Sequence, residues 1–252
     1  MFIACPIGHI EKVKYLVEHG ADINKKDNNG WSQLLIACFN GHIEIVKYLV
    51  KHGADINKED NGGFTPLYIA CQKGHIKVVK YLVEHGADIN KEDNNGATPL
   101  YITCPIGHIE IVKYLVEHGA NINKEDNYDI TPFYNACQEG YIEIVKYLVE
   151  HGMDINKGNN NGTTPLYIAC FNGHIEVVKY LVEHGADINK GNNNGWTPLS
   201  IACEKGNEDI ILYLIKRGSY MNKNLINKFN SKIIKLLQNF ENEKRKKVWN
   251  KK

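Results

Sequence analysis

Apolar and polar positions along this chain fall into blocks that return at one constant interval. The stretch from Asp60 to Asn90, DNGGFTPLYIACQKGHIKVVKYLVEHGADIN, shows one period in full. Leu67, Ala70 and Cys71 put apolar side chains on one face of a short helix, and Ile76, Val79, Leu82 and Val83 restart the helical spacing in a longer one. Thr65 before Pro66 predicts the first helix start, because the hydroxyl accepts from an orphan amide and proline needs no partner at the first helical position. Gly74 ends the first helix. Gly86 ends the second, since glycine past a helix takes the left-handed conformation that satisfies the last carbonyls. The chain then leaves through Ala87, Asp88 and Asn90 into a polar turn, whose tip in this period is Asn61, Gly62 and Gly63.

The glycine ending the second helix recurs at Gly20, Gly53, Gly86, Gly119, Gly152, Gly185 and Gly218 with no insertion or deletion. A hydrophobic content of 43% in 252 residues is compatible with one large globular domain. A strict period of this size instead marks a stack of units, each unable to bury its apolar face alone.

The segment TPLYIACQKGHIKVVKYLVEHGADIN and its six relatives resemble the ankyrin repeat over residues 1–218. The resemblance implies an all-α ankyrin-repeat solenoid of stacked helix-turn-helix units with β-hairpin-like finger loops. It also implies protein binding through finger tips and the shorter helices. Units are expected to end near residues 26, 59, 92, 125, 158, 191 and 221. Residues 219–240 keep Ile226, Phe229, Ile233, Ile234, Leu236, Leu237 and Phe240 at helical spacing, which predicts degenerate capping helices, and residues 241–252 form a basic tail. Met1 aligns with Leu67, so the first finger and helix start are missing, and that end is expected to fray, to pair, or to reflect a longer array.

Several positions depart from the pattern. TPLY, at Tyr68, Tyr101 and Tyr167, stands where the family has TPLH. Ser32, Gln33 and Leu34 replace Thr-Pro-Leu and are expected to weaken that helix start. Asp129 replaces a finger glycine, and Pro105 is expected to end its helix early. These last two units are expected to be the least regular.

The candidate chemistry shrinks on inspection. Cys5, Cys38, Cys71, Cys104, Cys137, Cys170 and Cys203 occupy one column. Helices stacked ~8–10 Å apart exceed the ~7 Å Cα separation a disulfide spans, so reduced thiols and an intracellular protein, cytoplasmic or nuclear, are expected. Cys71 and His75 have the residue types and spacing of zinc ligands, but the glycine turn separates them, and Tyr141 and Asn207 take the histidine's place elsewhere. His85 and its equivalents are expected to complement helix-terminal carbonyls. Asp22, Asp55, Asp88, Asp154 and Asp187 are expected to form turn hydrogen bonds. No phosphate loop or nucleophile elbow stands out, so no catalysis and no cofactor are expected. LVEHGADIN is also similar to the ankyrin segment modified by the asparaginyl hydroxylase that acts on hypoxia-inducible factor. That similarity would make Asn24, Asn57, Asn90, Asn156 and Asn189 targets, although turn capping alone accounts for them.

Recognition information is expected where the repeats differ. Fingers carry Trp31, Phe64, Ala97, Ile130, Thr163 and Trp196, and first helices end in Phe39, Gln72, Lys73, Ile106, Gln138, Glu139, Phe171, Glu204 and Lys205. Aromatic groups facing solvent are enriched as interface anchors, and packing on the next finger is the other reading. The net charge of +1 conceals an asymmetry. Residues 219–252 hold ten Lys/Arg against two Glu, a balance of +8, leaving 20 against 27, or −7, for residues 1–218. Lys244, Arg245, Lys246 and Lys247 thus fit a nuclear-import or nucleic-acid contact as well as a solvated helix end. No apolar run approaches the ~18 residues that cross a membrane. The expected protein is a noncatalytic monomeric scaffold with a protein partner, or alternatively a nuclear or nucleic-acid-associated adaptor using the tail.

Overall fold

The structure, a computed structural model, describes residues 5–220 and 233–235. The described residues form two compact bodies, the first from residues 5–136 and 143–153, the second from residues 137–142, 154–220 and 233–235. Among the described residues every regular element is helical: α1 (Ile10–Glu18), α2 (Gln33–Phe39), α3 (Ile43–Lys51), α4 (Pro66–Gln72), α5 (Ile76–Glu84), α6 (Pro99–Thr103), α7 (Ile109–Glu117), α8 (Pro132–Glu139), α9 (Ile142–Glu150), α10 (Pro165–Asn172), α11 (Ile175–Glu183), α12 (Pro198–Lys205) and α13 (Glu208–Lys216). A 3₁₀ turn, Cys104–Ile106, follows α6.

Each first helix starts where the sequence places it. Thr65 Oγ1 accepts from the Tyr68 amide at 3.1 Å, and Thr98 and Thr164 repeat the cap at 3.2 Å. All these helices, from the short α6 to the longer α3, fall below the ~12–15 residues needed for stability in isolation, so packing holds them. Second helices from α3 onward bury three residues at spacing i, i+1, i+4, as in Ile45, Val46 and Leu49 or Val177, Val178 and Leu181, whereas α1 buries Val13 alone. In α5 the buried set is Val78, Val79 and Leu82, while Ile76 and Val83 are half-buried. First helices are sandwiched more completely, with Pro66 through Cys71 all buried. In the first body α2 packs on α4 and α4 on α6, while α1, α3, α5 and α7 stack in turn; in the second, α10 packs on α12 and α11 on α13. The result is a layer of first helices on a layer of second helices within each body.

The irregular units resolve differently. Pro105 shortens α6 to Pro99–Thr103, as expected. Ser32 preserves the helix start that Gln33 was expected to weaken, its hydroxyl accepting from the Leu35 amide at 3.2 Å. The departure costs something else: Gln33 is fully buried, and neither atom of its amide finds a partner. The finger at Asp129 stays regular, with Asp126 N–H donating to Ile130 O at 3.0 Å, because Asp129 adopts φ +58° and is the one described non-glycine residue at positive φ.

Candidate protein-binding surface

Two sides of each repeat treat their exposed polar groups in opposite ways. On the exit-turn side, repeated residues bind the next repeat. Asn24 Nδ2 donates to Gly53 O at 3.1 Å and its Oδ1 accepts from Asp55 N at 2.9 Å. Asn57 bridges to Gly86 and Asp88, Asn90 to Gly119 and Asn121, and Asn156 to Gly185 and Asp187, by the same pair of bonds. Asn189 Oδ1 accepts from Ser219 Oγ at 3.2 Å and Tyr220 N at 3.3 Å. The asparagines that resemble hydroxylation targets are therefore inter-repeat clamps, and the aspartates before them accept amides two residues on, as at Asp22 and Asp55.

The histidine columns are structural in the same way. His19, His52, His85, His118, His151 and His184 place Nδ1 2.7–2.8 Å from the carbonyl four residues back, where it donates, and each ring lies 3.8–4.0 Å from the tyrosine of that residue. In the turn column, His42, His75 and His174 donate from Nε2 to Pro6, Phe39 and Gln138 carbonyls of the preceding repeat at 3.2, 3.0 and 2.8 Å. Asn207 Nδ2 does the same to Cys170 O at 2.8 Å. The seven cysteines, all among the described residues, form no disulfide and are buried. Burial pushes the Cys5 thiol up to about 11 and those of Cys71 and Cys203 to about 12, and it raises Cys38, Cys104 and Cys170 further still. Among the described residues no group of three His, Cys, Asp or Glu side chains is placed to hold a metal ion.

The fingers are turns rather than strands. Asp27, Asp60, Asp93 and Asp126 each accept from the amides two and four residues on, and Asn159 and Asn192 do so in the second body. Successive fingers are joined by the tip asparagine: Asn61 donates from its backbone to Asn29 O and from Nδ2 to Asn28 O, both at 3.2 Å.

The varied positions make few such bonds. Trp31, Phe64, Ile130, Thr163 and Trp196 are half-buried and Ala97 is buried. Two of them lie against rings of their own repeat: Trp31 stands edge-on to Phe39 with centroids 5.4 Å apart, and Phe64 stacks on Tyr68 at 4.9 Å. Phe39 and Phe171 remain 37% and 38% exposed. Each carries a lysine ammonium from the next repeat over its ring, Lys73 at 4.3 Å and Lys205 at 4.0 Å. Gln72, Ile106 and Gln138 are half-buried, whereas Glu139 and Glu204 are exposed. Gln138, Glu139 and Phe171 come together with Ile168, Asn172 and His174 around a hollow of about 500 Å³ in the second body.

Sequence reasoning passed over Tyr128, which is 60% exposed at a finger tip, and Tyr141, 37% exposed in the histidine turn column. The available signal was positional: Tyr128 stands where the other five described fingers have asparagine or glycine. Lys244, Arg245, Lys246 and Lys247 lie outside the described residues. Of the degenerate capping segment beyond Tyr220, only residues 233–235 are described; they are helical, with Ile233 buried. No helix among the described residues is long and apolar enough to cross a membrane.

Comparison with known proteins agrees with this geometry. A family model described as ankyrin repeats in three copies matches residues 1–93, 90–159 and 156–225. No curated protein matches the chain. The crystal structure of the human ASB11 ankyrin repeat domain is similar, with 30% sequence identity and a TM-score of 0.78 over 87% of this chain and 97% of that one. With the family model matched along nearly the whole repeat array and the structural likeness beside it, the chain belongs to the ankyrin repeat family.

Proposed function

We propose that this chain is a noncatalytic scaffold that binds a protein partner through the finger and first-helix side of its repeats. The family supports the coarser part, since ankyrin repeats generally mediate protein–protein interaction. The observation that carries the finer part is the contrast between the two sides. Exit-turn asparagines and helix-end histidines are nearly the same in every repeat and bind within the protein. The finger and first-helix ends differ from repeat to repeat and leave Phe39, Tyr128 and Phe171 exposed. A clamped frame with a varied aromatic face suits recognition, because aromatic anchors in a fixed geometry lose little conformational entropy on binding.

The test is affinity capture from host-cell extract with the intact chain beside a Phe39→Ala, Tyr128→Ala, Phe171→Ala variant, both checked by circular dichroism. The expected result is specific proteins captured by the intact chain and lost from the variant. Capture unaffected by these substitutions but abolished by removing residues 241–252 would overturn the reading and transfer the role to the basic tail.

A further inference from the structure

We propose that the hollow beside Phe171 receives a cationic side chain with an apolar stem, an arginine or a lysine, presented by a partner polypeptide. The inference deepens the scaffold reading and rests on it for the source of that side chain, though not for the chemistry of the hollow.

Donors and acceptors around the hollow are unequally committed. Three side-chain donor groups border it, and each already gives an N–H to an internal acceptor, which uses the whole of His174 Nε2 and one of the two N–H groups of each amide. Asn172 Nδ2 donates to Gln138 O at 2.9 Å, His174 Nε2 donates to the same carbonyl at 2.8 Å, and Gln138 Nε2 donates to Glu139 Oε1 at 2.9 Å. Because a carbonyl and a carboxylate only accept, these bonds also fix which amide atoms point elsewhere. The acceptors Asn172 Oδ1, Gln138 Oε1 and the second Glu139 oxygen are unengaged, and they outnumber the two amide N–H groups left over, one on Asn172 and one on Gln138. Glu139 is exposed and pairs with no lysine or arginine among the described residues. The Glu139 carboxylate gives this set a negative charge, and a donor that carries positive charge, guanidinium or ammonium, complements it.

Below the polar rim lie Ile168, half-buried, and the exposed Phe171 ring, which fit the methylene stem of a long cationic residue. One face of that ring already carries Lys205 Nζ at 4.0 Å, so the ring supplies packing for the stem and Glu139 supplies the charge complement. The volume of the hollow is in the range that holds small ligands. The first body supplies an internal contrast. The equivalent residues four repeats earlier are Pro6, Ile7, Ile36, Phe39, Asn40 and His42, so Ile7, 58% exposed, stands where the second body has Glu139. The Glu139 carboxylate and the Gln138 amide are thus what distinguish the second-body site from its more apolar counterpart.

The test uses the full chain and free amino-acid probes, so it does not depend on identifying a partner. N-acetyl-arginine methylamide, the norleucine analogue and the glutamate analogue are titrated while the Asn172 side-chain amide and His174 ring are followed by NMR. The arginine probe is expected to bind in the millimolar range, about three- to five-fold tighter than norleucine, with glutamate weakest. Glu139→Gln should erase the advantage of arginine while norleucine binding persists, and Phe171→Ala should weaken both. Equal or tighter binding of the glutamate probe, an arginine preference unchanged by Glu139→Gln, or no saturable shift at these nuclei would overturn the proposal. If the probes behave as expected but partner capture ignores the finger and first-helix face, the scaffold reading fails and the hollow's chemistry stands.

Discussion

The exit-turn side and the finger side of a repeat both present polar and apolar groups, yet they behave differently. Asn57 spends both ends of its amide on the next repeat, and His85 spends Nδ1 on its own helix. Phe171, by contrast, touches a lysine and a hollow, and Glu139 meets no lysine or arginine among the described residues. Groups fully bound to one another stabilise the stack and have little left for a partner, whereas groups that keep exposed surface or spare acceptors can discriminate. Uniformity and variation along the repeat follow from that division: a clamp that must fit every neighbour cannot change, while an unclamped position can.

The largest effect that should separate frame from face comes from pH. The buried thiols of Cys5, Cys38, Cys71, Cys104, Cys170 and Cys203 are raised by burial from an ordinary 9.0, with Cys5 near 11 and Cys71 and Cys203 near 12. The folded state therefore holds their protons more tightly than the unfolded chain does. Their contribution is fully present below the unfolded value and is lost as pH rises through the folded ones. Thermal unfolding should be insensitive to these thiols at neutral pH and should become steeply easier as pH climbs from the ordinary thiol value towards that of Cys71, with a Cys71→Ala variant showing a shallower decline.

Next in size is the clamp. Asn57→Ala removes two inter-repeat bonds and leaves Gly86 O and the Asp88 amide to find water. It should cost about 1–3 kcal/mol in urea unfolding. Gln33→Pro should act in the opposite direction, because it removes a buried amide without partners and restores the residue that the other first helices carry at that position. The expected gain is about 1–2 kcal/mol, the size of an uncompensated buried amide on mutational scales. A loss of stability there would show that Gln33 has a role the structure does not explain. Phe171→Ala, on the face, should change stability by less than about 1 kcal/mol, as exposed substitutions do. If it matched Asn57→Ala, the division between frame and face would collapse. Smallest is Asp129→Gly, at the non-glycine residue with positive φ. Relief of the left-handed backbone is partly offset by the greater freedom of an unfolded glycine, so the gain should be only about 0.5 kcal/mol, with partner capture intact.

Much of the frame was legible in the sequence because it is local. The threonine caps, the glycine stops and the aspartate turns each involve residues within a few positions of one another. Bonds between repeats were less legible, since the period says that units stack but not with what offset. Asn24 reads in sequence as a turn residue, yet half of its role is to hold Gly53 and Asp55, 29 and 31 positions on. Tyr101 stands out in sequence only for replacing histidine, but its hydroxyl donates to Asp126 of the next finger at 2.7 Å, a reach that only the stacked geometry sets. The candidate face was legible as a set of varied columns and illegible in its contacts: nothing in the sequence shows that Phe64 stacks on Tyr68 of its own repeat. The acceptor-rich hollow could not be anticipated, because it depends on which side-chain hydrogens the His174 ring and the Asn172 amide have already committed.

The most direct test of the central claim is hydrogen–deuterium exchange of the full chain with and without a partner obtained by capture. Slowed exchange is expected at finger residues 28–32 and 127–130 and at first-helix ends near residues 39–41 and 171–173. The exit turns around Asn57, Asn90 and Asn156 should exchange at the same rate in both states. Protection confined to the exit turns and second helices, with the fingers unchanged, would contradict the account.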